Sequence, residues 1–205
     1  MFLRLFLAIA VPPEVRDAIA RAQGQLQRLS PPGAVRWTRP DQFHVTLKFL
    51  GDVPESEVPA LSKNAAEVCG AFSTLQVSAK SIDFFPNPRK PRVVWAGAED
   101  REMQLPEIYR RLSEALRWLG SAERVERFSG HITLGRFKPG HFHLGKLLER
   151  AGTFHDRQFG DWLAGEVELV RSELSPTGAT HEVMQSFPFE RLSAGEPATE
   201  LPPRQ

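Results

Sequence analysis

The sequence predicts an α+β fold in which two pseudo-symmetric lobes, with mostly antiparallel sheets, flank a central cleft and carry their helices outside. Three observations predict it. Alternating apolar residues mark several strands, and apolar residues at helical spacing mark the segments between them. A single offset of 87 residues (131 − 44) then lays the first half of the chain on the second, strand on strand and helix on helix.

The first strand is the alternation Leu3, Leu5, Leu7, Ile9. Its shifted counterpart is the run from Arg92 to Ala96, with Val93, Val94 and Trp95. The stretch from Met1 to Val11 is too short to span a bilayer, contains Arg4 and lacks a small-residue cleavage site, so it reads as a strand and not as a signal peptide. A first helix follows over Val15, Ala18, Ile19, Ala22, Leu26 and Leu29, opening at Pro12-Pro13 and stopping at Pro31-Pro32-Gly33. Its counterpart, Leu105, Ile108, Leu112, Leu116 and Leu119, ends at Gly120.

Next comes a strand with Phe43, Val45, Leu47 and Phe49 on one face and His44, Thr46 and Lys48 on the other. Its partner places Ile132 and Leu134 opposite His131, Thr133 and Gly135, with Arg136 at the end; the small Gly135 is expected to leave room for a ligand. Helices are expected at Val58, Leu61, Ala65, Val68 and at Leu144, Leu147, Leu148, Ala151, and strands from Leu75 to Phe85, Leu163 to Leu174 and Thr180 to Phe189. The lobes are read as residues 1–85 and 92–189, partly exchanged at their ends and joined at the Pro86-Asn87-Pro88-Arg89-Lys90-Pro91 loop. Neither is long enough to be comfortable alone, which predicts one bilobal domain over residues 1–193. A parallel doubly wound sheet is disfavoured, because no glycine-rich phosphate loop follows a strand. Residues 194–205 lack periodicity, carry three prolines and are predicted to be disordered.

A chain of 205 residues with 41% hydrophobic content can bury a sizeable core. The lone Cys69 excludes an intramolecular disulfide, argues against a thiolate metal site and an oxidising compartment, and predicts a cytoplasmic protein. On the apolar side of its helix, Cys69 reads as a buried small hydrophobe. A net charge of +1 argues against coating long nucleic acid, which requires neutralising many phosphates. A short anionic end could still find cations among Lys48, Arg89, Lys90, Arg92, Arg136 and Lys138, most of which read as solvated surface charges. No membrane partner is expected, and a near-neutral chain with a closed core is expected to be a monomer.

His44-Val45-Thr46-Leu47 and His131-Ile132-Thr133-Leu134 carry the chemistry. The i, i+2 spacing along a strand sends each histidine and threonine to one face. Two imidazoles can serve as base and acid in phosphodiester hydrolysis without metal. Two hydroxyls can donate hydrogen bonds to the nonbridging oxygens. One His-x-Thr is weak evidence, since most strand histidines are surface or core residues. Two copies, each followed by leucine and embedded in matching context at one offset, make coincidence a poor explanation.

Trp37, Phe84, Phe85 and Phe128 are candidates to stack on an unpaired base, with Phe84 or Phe85 preferred because alternation buries only one of two consecutive aromatics. His141-Phe142-His143 could chelate a metal by spacing, but no acidic or cysteine partner accompanies it and Pro139-Gly140 suggests an exposed turn. It reads, like His155, as surface.

The paired motifs resemble the 2H phosphoesterases, and nearly the whole chain is similar to the bacterial RNA 2′,3′-cyclic phosphodiesterases, also called 2′-5′ RNA ligases. The likeness includes Arg4 to Ile9, Arg36-Trp37-Thr38, His44 through Gly51 as HVTLKFLG, Arg92 to Trp95, Ser172-x-Leu174-x-Pro176-x-Gly178 and Phe187-Pro188. It implies a metal-independent enzyme, without a cofactor, that opens a terminal 2′,3′-cyclic phosphate on RNA to leave a 2′-phosphate. His44 is then the proton donor to the departing 3′ oxygen, His131 the proton acceptor that activates water, and Thr46 and Thr133 bind the phosphate. Symmetry of the motifs alone leaves those two roles interchangeable. The reverse reaction, 2′-5′ joining of RNA ends, is also associated with the family. Substrate contacts are expected among Lys48, Arg92, Arg127, Arg136, Phe84 and Phe85. Two positions depart from the family pattern: Glu126-Arg127-Phe128-Ser129-Gly130 replaces an Arg-Pro-Phe-x-Pro run, and His181 stands where a tyrosine is common. Two alternatives stay open: a phosphodiesterase for small cyclic nucleotides or 2′-5′ oligonucleotides, and a noncatalytic RNA-binding module.

Overall fold

The computed structural model describes residues 1–120, 128–140, 143–175 and 178–190. Arg127, His141 and the tail from Ala194 lie outside the described residues. In chain order the main elements are β1 (Phe2–Ala10), α1 (Pro13–Leu29), β2 (Val35–Trp37), β3 (His44–Pro54), α2 (Val58–Cys69), β4 (Leu75–Phe85), β5 (Val93–Asp100), α3 (Gln104–Ala115), β6 (His131–Phe137), α4 (Gly145–Gly152), β7 (Gln158–Ala164), β8 (Glu166–Ser175) and β9 (Gly178–Pro188).

The strands form one sheet in the order β7-β4-β5-β6-β3-β1-β8-β9, with β2 added on β6. Every registered pair is antiparallel. At its centre the sheet is held by a single registered pair, Val45 with Ile132, so the two motif strands join its halves. The pseudo-symmetry follows: β6, β5 and β4 on one side match β3, β1 and β8 on the other. Strand β4 thus sits with β5 and β6, while β8 and β9 return to flank β1.

The predicted run from Leu163 to Leu174 is two strands, parted at Gly165. β7 pairs with β4 in one half and β8 with β1 in the other, so the chain crosses the molecule here, and the inward positions change phase from Trp162 and Ala164 to Val167 and Leu169. The helical pattern ending at Gly120 is also shorter than expected. α3 stops at Ala115, and a tight turn over Arg117–Leu119 carries the chain to Gly120, whose φ of 69° suits the left-handed conformation glycine tolerates.

All four helices lie on one side of the sheet. α1 and α4 pack together over β7 and β4, and α2 and α3 pack together over β3, β5, β8 and β9. Leu5, Leu7, Ile19, Leu61, Val77, Leu112, Ile132 and Leu147 belong to one continuous buried core running beneath both halves. At the start of α3 the buried Asp100 carboxylate accepts the Leu105 N–H at 3.1 Å and that of Gln104, satisfying two amides that a helix start leaves unpaired. The opposite face of the sheet stays open, and the motif strands run down its middle. Among the described residues no helix is long and apolar enough to cross a membrane.

Candidate active site

Each motif histidine opens its strand and is locked in the same way. His44 Nδ1 lies 2.8 Å from the Gln42 carbonyl, and His131 Nδ1 lies 2.8 Å from the Ser129 carbonyl, in both cases two residues back. A carbonyl only accepts, so Nδ1 holds the hydrogen and Nε2 is the atom available for proton transfer. Antiparallel continuation of the Val45–Ile132 register brings His44 towards Thr133 and Thr46 towards His131. Both threonines are half-buried.

A cavity of about 600 Å³ opens on this face, with His44, Thr46, Phe49, Thr133, Arg136 and His181 among its walls. His131 lies just outside these walls, two residues before Thr133 on the same face of β6. It is ringed by Phe85, edge-on at 5.0 Å, and Trp95, at 6.1 Å. Burial pushes His44 down to about 4, opposed by the Gln42 hydrogen bond and reinforced by the nearby His181 and His131. His131 is also held below the ordinary histidine value, by burial first and by the Arg136 charge, with the Ser129 bond opposing. Both rings are therefore neutral in the free site near pH 7.

A bulge in each motif strand sets which residues share the cleft face. Against β1, Thr46 opposes Ala8 and Lys48 opposes Leu7, leaving Leu47 unpaired; against β5, Thr133 opposes Trp95 and Gly135 opposes Val94, leaving Leu134 unpaired. The extra leucine turns the next residue inward and the one after it out. Lys48 is consequently buried beneath the sheet, off the histidine face, while Phe49 faces the cavity. Gly135 is likewise buried. A Cβ there would meet Val35 Cγ1 at 2.7 Å and Trp37 Cε3 at 3.0 Å, so its missing side chain accommodates β2 and not a ligand. Three residues after each threonine the second motif presents Arg136 where the first presents Phe49.

The remaining candidates divide. Phe85 reaches the site, whereas Phe84, one residue earlier in the alternation, is buried against Phe137. Arg92 is exposed at the mouth of β5 and outside the cavity wall; its backbone accepts from Phe137 N–H and donates to Phe85 O. Trp37 lines the cavity, and Phe128 stacks on Tyr109 away from it. Arg127 falls outside the described residues, and His143 and His155 are exposed. Among the described residues no group of three or more His, Cys, Asp or Glu is placed to hold a metal ion.

Several residues join the site that periodicity does not single out. Arg4, Arg36 and Arg39 line the cavity with Arg136, and Arg36 pairs directly with Arg136 across β2 and β6. Like charges set opposite each other repel, so this rim favours an anion between them. Gln23, buried on α1, donates to the Thr38 carbonyl at 2.7 Å and to the carbonyl of the bulged Leu134 at 2.9 Å, pinning the second motif from below.

Comparison with known proteins places this geometry. The sequence model of the family described as LigT like Phosphoesterase matches residues 9–95. An RNA 2′,3′-cyclic phosphodiesterase of Methanothermobacter thermautotrophicus is 33% identical, over 91% of this chain and 99% of that protein. One of Thermus thermophilus is 34% identical over 90% of this chain and 89% of that protein. In three dimensions a solved Thermus thermophilus protein superposes with a TM-score of 0.74 at 28% identity, covering 92% of this chain and 98% of its own. E. coli LigT, solved with 3′-AMP, shares the fold with a TM-score of 0.72 at 22% identity, over 93% of this chain and all of that one (100%). The chain belongs to the LigT-like phosphoesterases, within the 2H phosphoesterases.

Proposed function

We propose that this protein hydrolyses the 2′,3′-cyclic phosphate at an RNA end to a 2′-phosphate, with His44 as general acid and His131 as general base and no metal in the step. The observation that carries the reading is the pair of imidazoles on adjoining strands, each with Nδ1 bonded to a carbonyl so that Nε2 is left for proton transfer. His131 Nε2 takes a proton from water as its oxygen attacks phosphorus. The bond from phosphorus to the 3′ oxygen breaks, that oxygen receives the proton from His44 Nε2, and the phosphate stays on the 2′ oxygen. Thr46 and Thr133 donate hydrogen bonds to the nonbridging oxygens, where charge grows in the transition state.

His131, neutral in the free site, is ready to act as base. His44 takes up its proton with the substrate, because an anionic phosphate between the rings raises their proton affinity. The arginine rim attracts the RNA end, and Phe49, Trp37 and Phe85 offer faces for the terminal bases. With the 5′-hydroxyl of a second RNA in place of water, the same two groups in the same roles join RNA ends through a 2′-5′ linkage, and cleavage of that linkage exchanges their roles. A cytoplasmic location fits the one cysteine, buried and with its thiol pushed up to about 12, and a monomer fits the near-neutral charge of +1.

The test is a short RNA bearing a 2′,3′-cyclic phosphate, incubated with the purified protein and EDTA, with the product phosphate located by ³¹P NMR. Turnover under chelation to a 2′-phosphate is expected. A 3′-phosphate would reverse the leaving group, loss of turnover with EDTA would bring in a metal, and tight binding without turnover would make the protein a binding module.

A further inference from the structure

The two motifs are twins in sequence, yet their rings have different neighbours. His131 is flanked by Phe85 and Trp95, neither of which titrates. His44 lies between Phe6 of β1, stacked at 4.8 Å and 29°, and His181 of β9, edge-on at 5.3 Å and 73°. His181 also meets Phe6 edge-on at 5.1 Å, so the three rings close on one another. Gln42 ties the assembly together. Its backbone carbonyl accepts from His44 Nδ1, and its side-chain amide donates to the Ala179 carbonyl at the start of β9.

We propose that His181 is a positioning residue for the acid: its ring edge, with Phe6, sets the plane of the His44 imidazole, and its own proton competes with the one His44 must carry. The proposal rests on the assignment of His44 as general acid and gives it a structural source, because β9 brings a titratable ring to the first motif and none to the second.

Among the described residues, Arg4, Arg36 and Arg136 share the cavity with His181, and the charges set closest to it are two. Arg39 and Asp41, in the turn before β3, form an ion pair at 2.9 Å beside it; His44 faces it from β3, and His131 lies beyond His44 on β6. Burial holds His181 below the ordinary value, Arg39 adds to this and Asp41 opposes it. As pH falls, a proton on His181 therefore opposes one on His44. Burial is what keeps His44 neutral near pH 7 in the free enzyme, and a charged His181 at lower pH adds to that. Removing the charge while keeping the ring raises the proton affinity of His44 and moves the optimum of kcat/KM to higher pH.

Two variants separate ring from charge. In His181→Phe the ring edge remains; in His181→Ala both are lost. The midpoint of His44, followed by NMR in the free protein, is expected to rise in both by a few tenths of a pH unit, about a twofold change in protonated fraction. The inflection that His181 imposes on the His44 signal is expected to vanish. With cyclic-phosphate RNA, kcat is expected to fall about tenfold in His181→Ala and to recover in His181→Phe, KM changing little, as loss of orientation predicts. An unmoved His44 midpoint in both variants overturns the proposal whatever the activity, and so does a kcat loss that the phenylalanine ring fails to restore. Since the NMR titration needs no turnover, it reads the coupling even where the hydrolysis itself fails.

Discussion

His131→Ala and His44→Ala are each expected to lower kcat on a cyclic-phosphate RNA by at least about a hundredfold, within the range usual for losing a general acid or base. The two losses are not expected to multiply in the double variant, because both groups act in one step. The roles separate with the leaving group. A p-nitrophenyl phosphodiester releases a stabilised phenolate that needs no proton, so His44→Ala should recover most of its loss on that substrate while His131→Ala should not. Equal recovery in both variants would mean that the roles are shared or exchanged. Steady-state kinetics on the two substrates reads all four cases.

The second large effect is expected at Gly130→Ala. A Cβ at Gly130 would lie 2.2 Å from the Ala98 carbonyl oxygen, a backbone atom that no rotamer change moves aside. The same approach lets Ala98 N–H donate to the Gly130 carbonyl at 3.0 Å, just ahead of β6. Forcing the strands apart should cost ~1–3 kcal/mol, as overpacking does. It should also displace His131, one residue on, and Ser129, whose carbonyl orients it. Urea unfolding should therefore show a lower midpoint, and kcat should fall in the protein that remains folded, since a displacement of about 1 Å can lose a hundredfold in rate. Gly145→Ala is the contrast: nothing lies within 4 Å of its added Cβ, so the midpoint should not fall and kcat should not move.

How much the chain discloses of itself depends on periodicity. The alternation around His44 and His131 and the 87-residue offset are enough to pair the motif strands, because a strand with one buried face fixes its own register. Alternation fails where the backbone is not regular. It puts Lys48 on the histidine face, but the unpaired Leu47 reverses the pattern, buries Lys48 and presents Phe49. A signal of this is present in the chain: Leu47, Leu50 and Val53 are spaced by three, which no regular strand allows. The crossing at Gly165 is hidden because Leu163, Val167 and Leu169 read as one alternation, whereas in the fold Leu163 is exposed and the buried positions change phase between Ala164 and Val167. Arg4, Arg36 and Arg39 come from three separate segments, so only the folded sheet shows them with Arg136 around one cavity. Gln23 looks like one polar residue of an amphipathic helix. Its role depends on carbonyls 15 and 111 residues away.

The convergence of both imidazoles on one phosphate can be measured directly. With ¹⁵N-histidine-labelled protein titrated with adenosine 2′-monophosphate, long-range ¹H–¹⁵N spectra follow the Nε2 atoms of His44 and His131 separately. The prediction is that both shift along one saturation curve, towards protonation, while both Nδ1 atoms keep their hydrogen. If only one ring responds, or if the two saturate at different concentrations, they do not share a phosphate site and the two-histidine mechanism is contradicted.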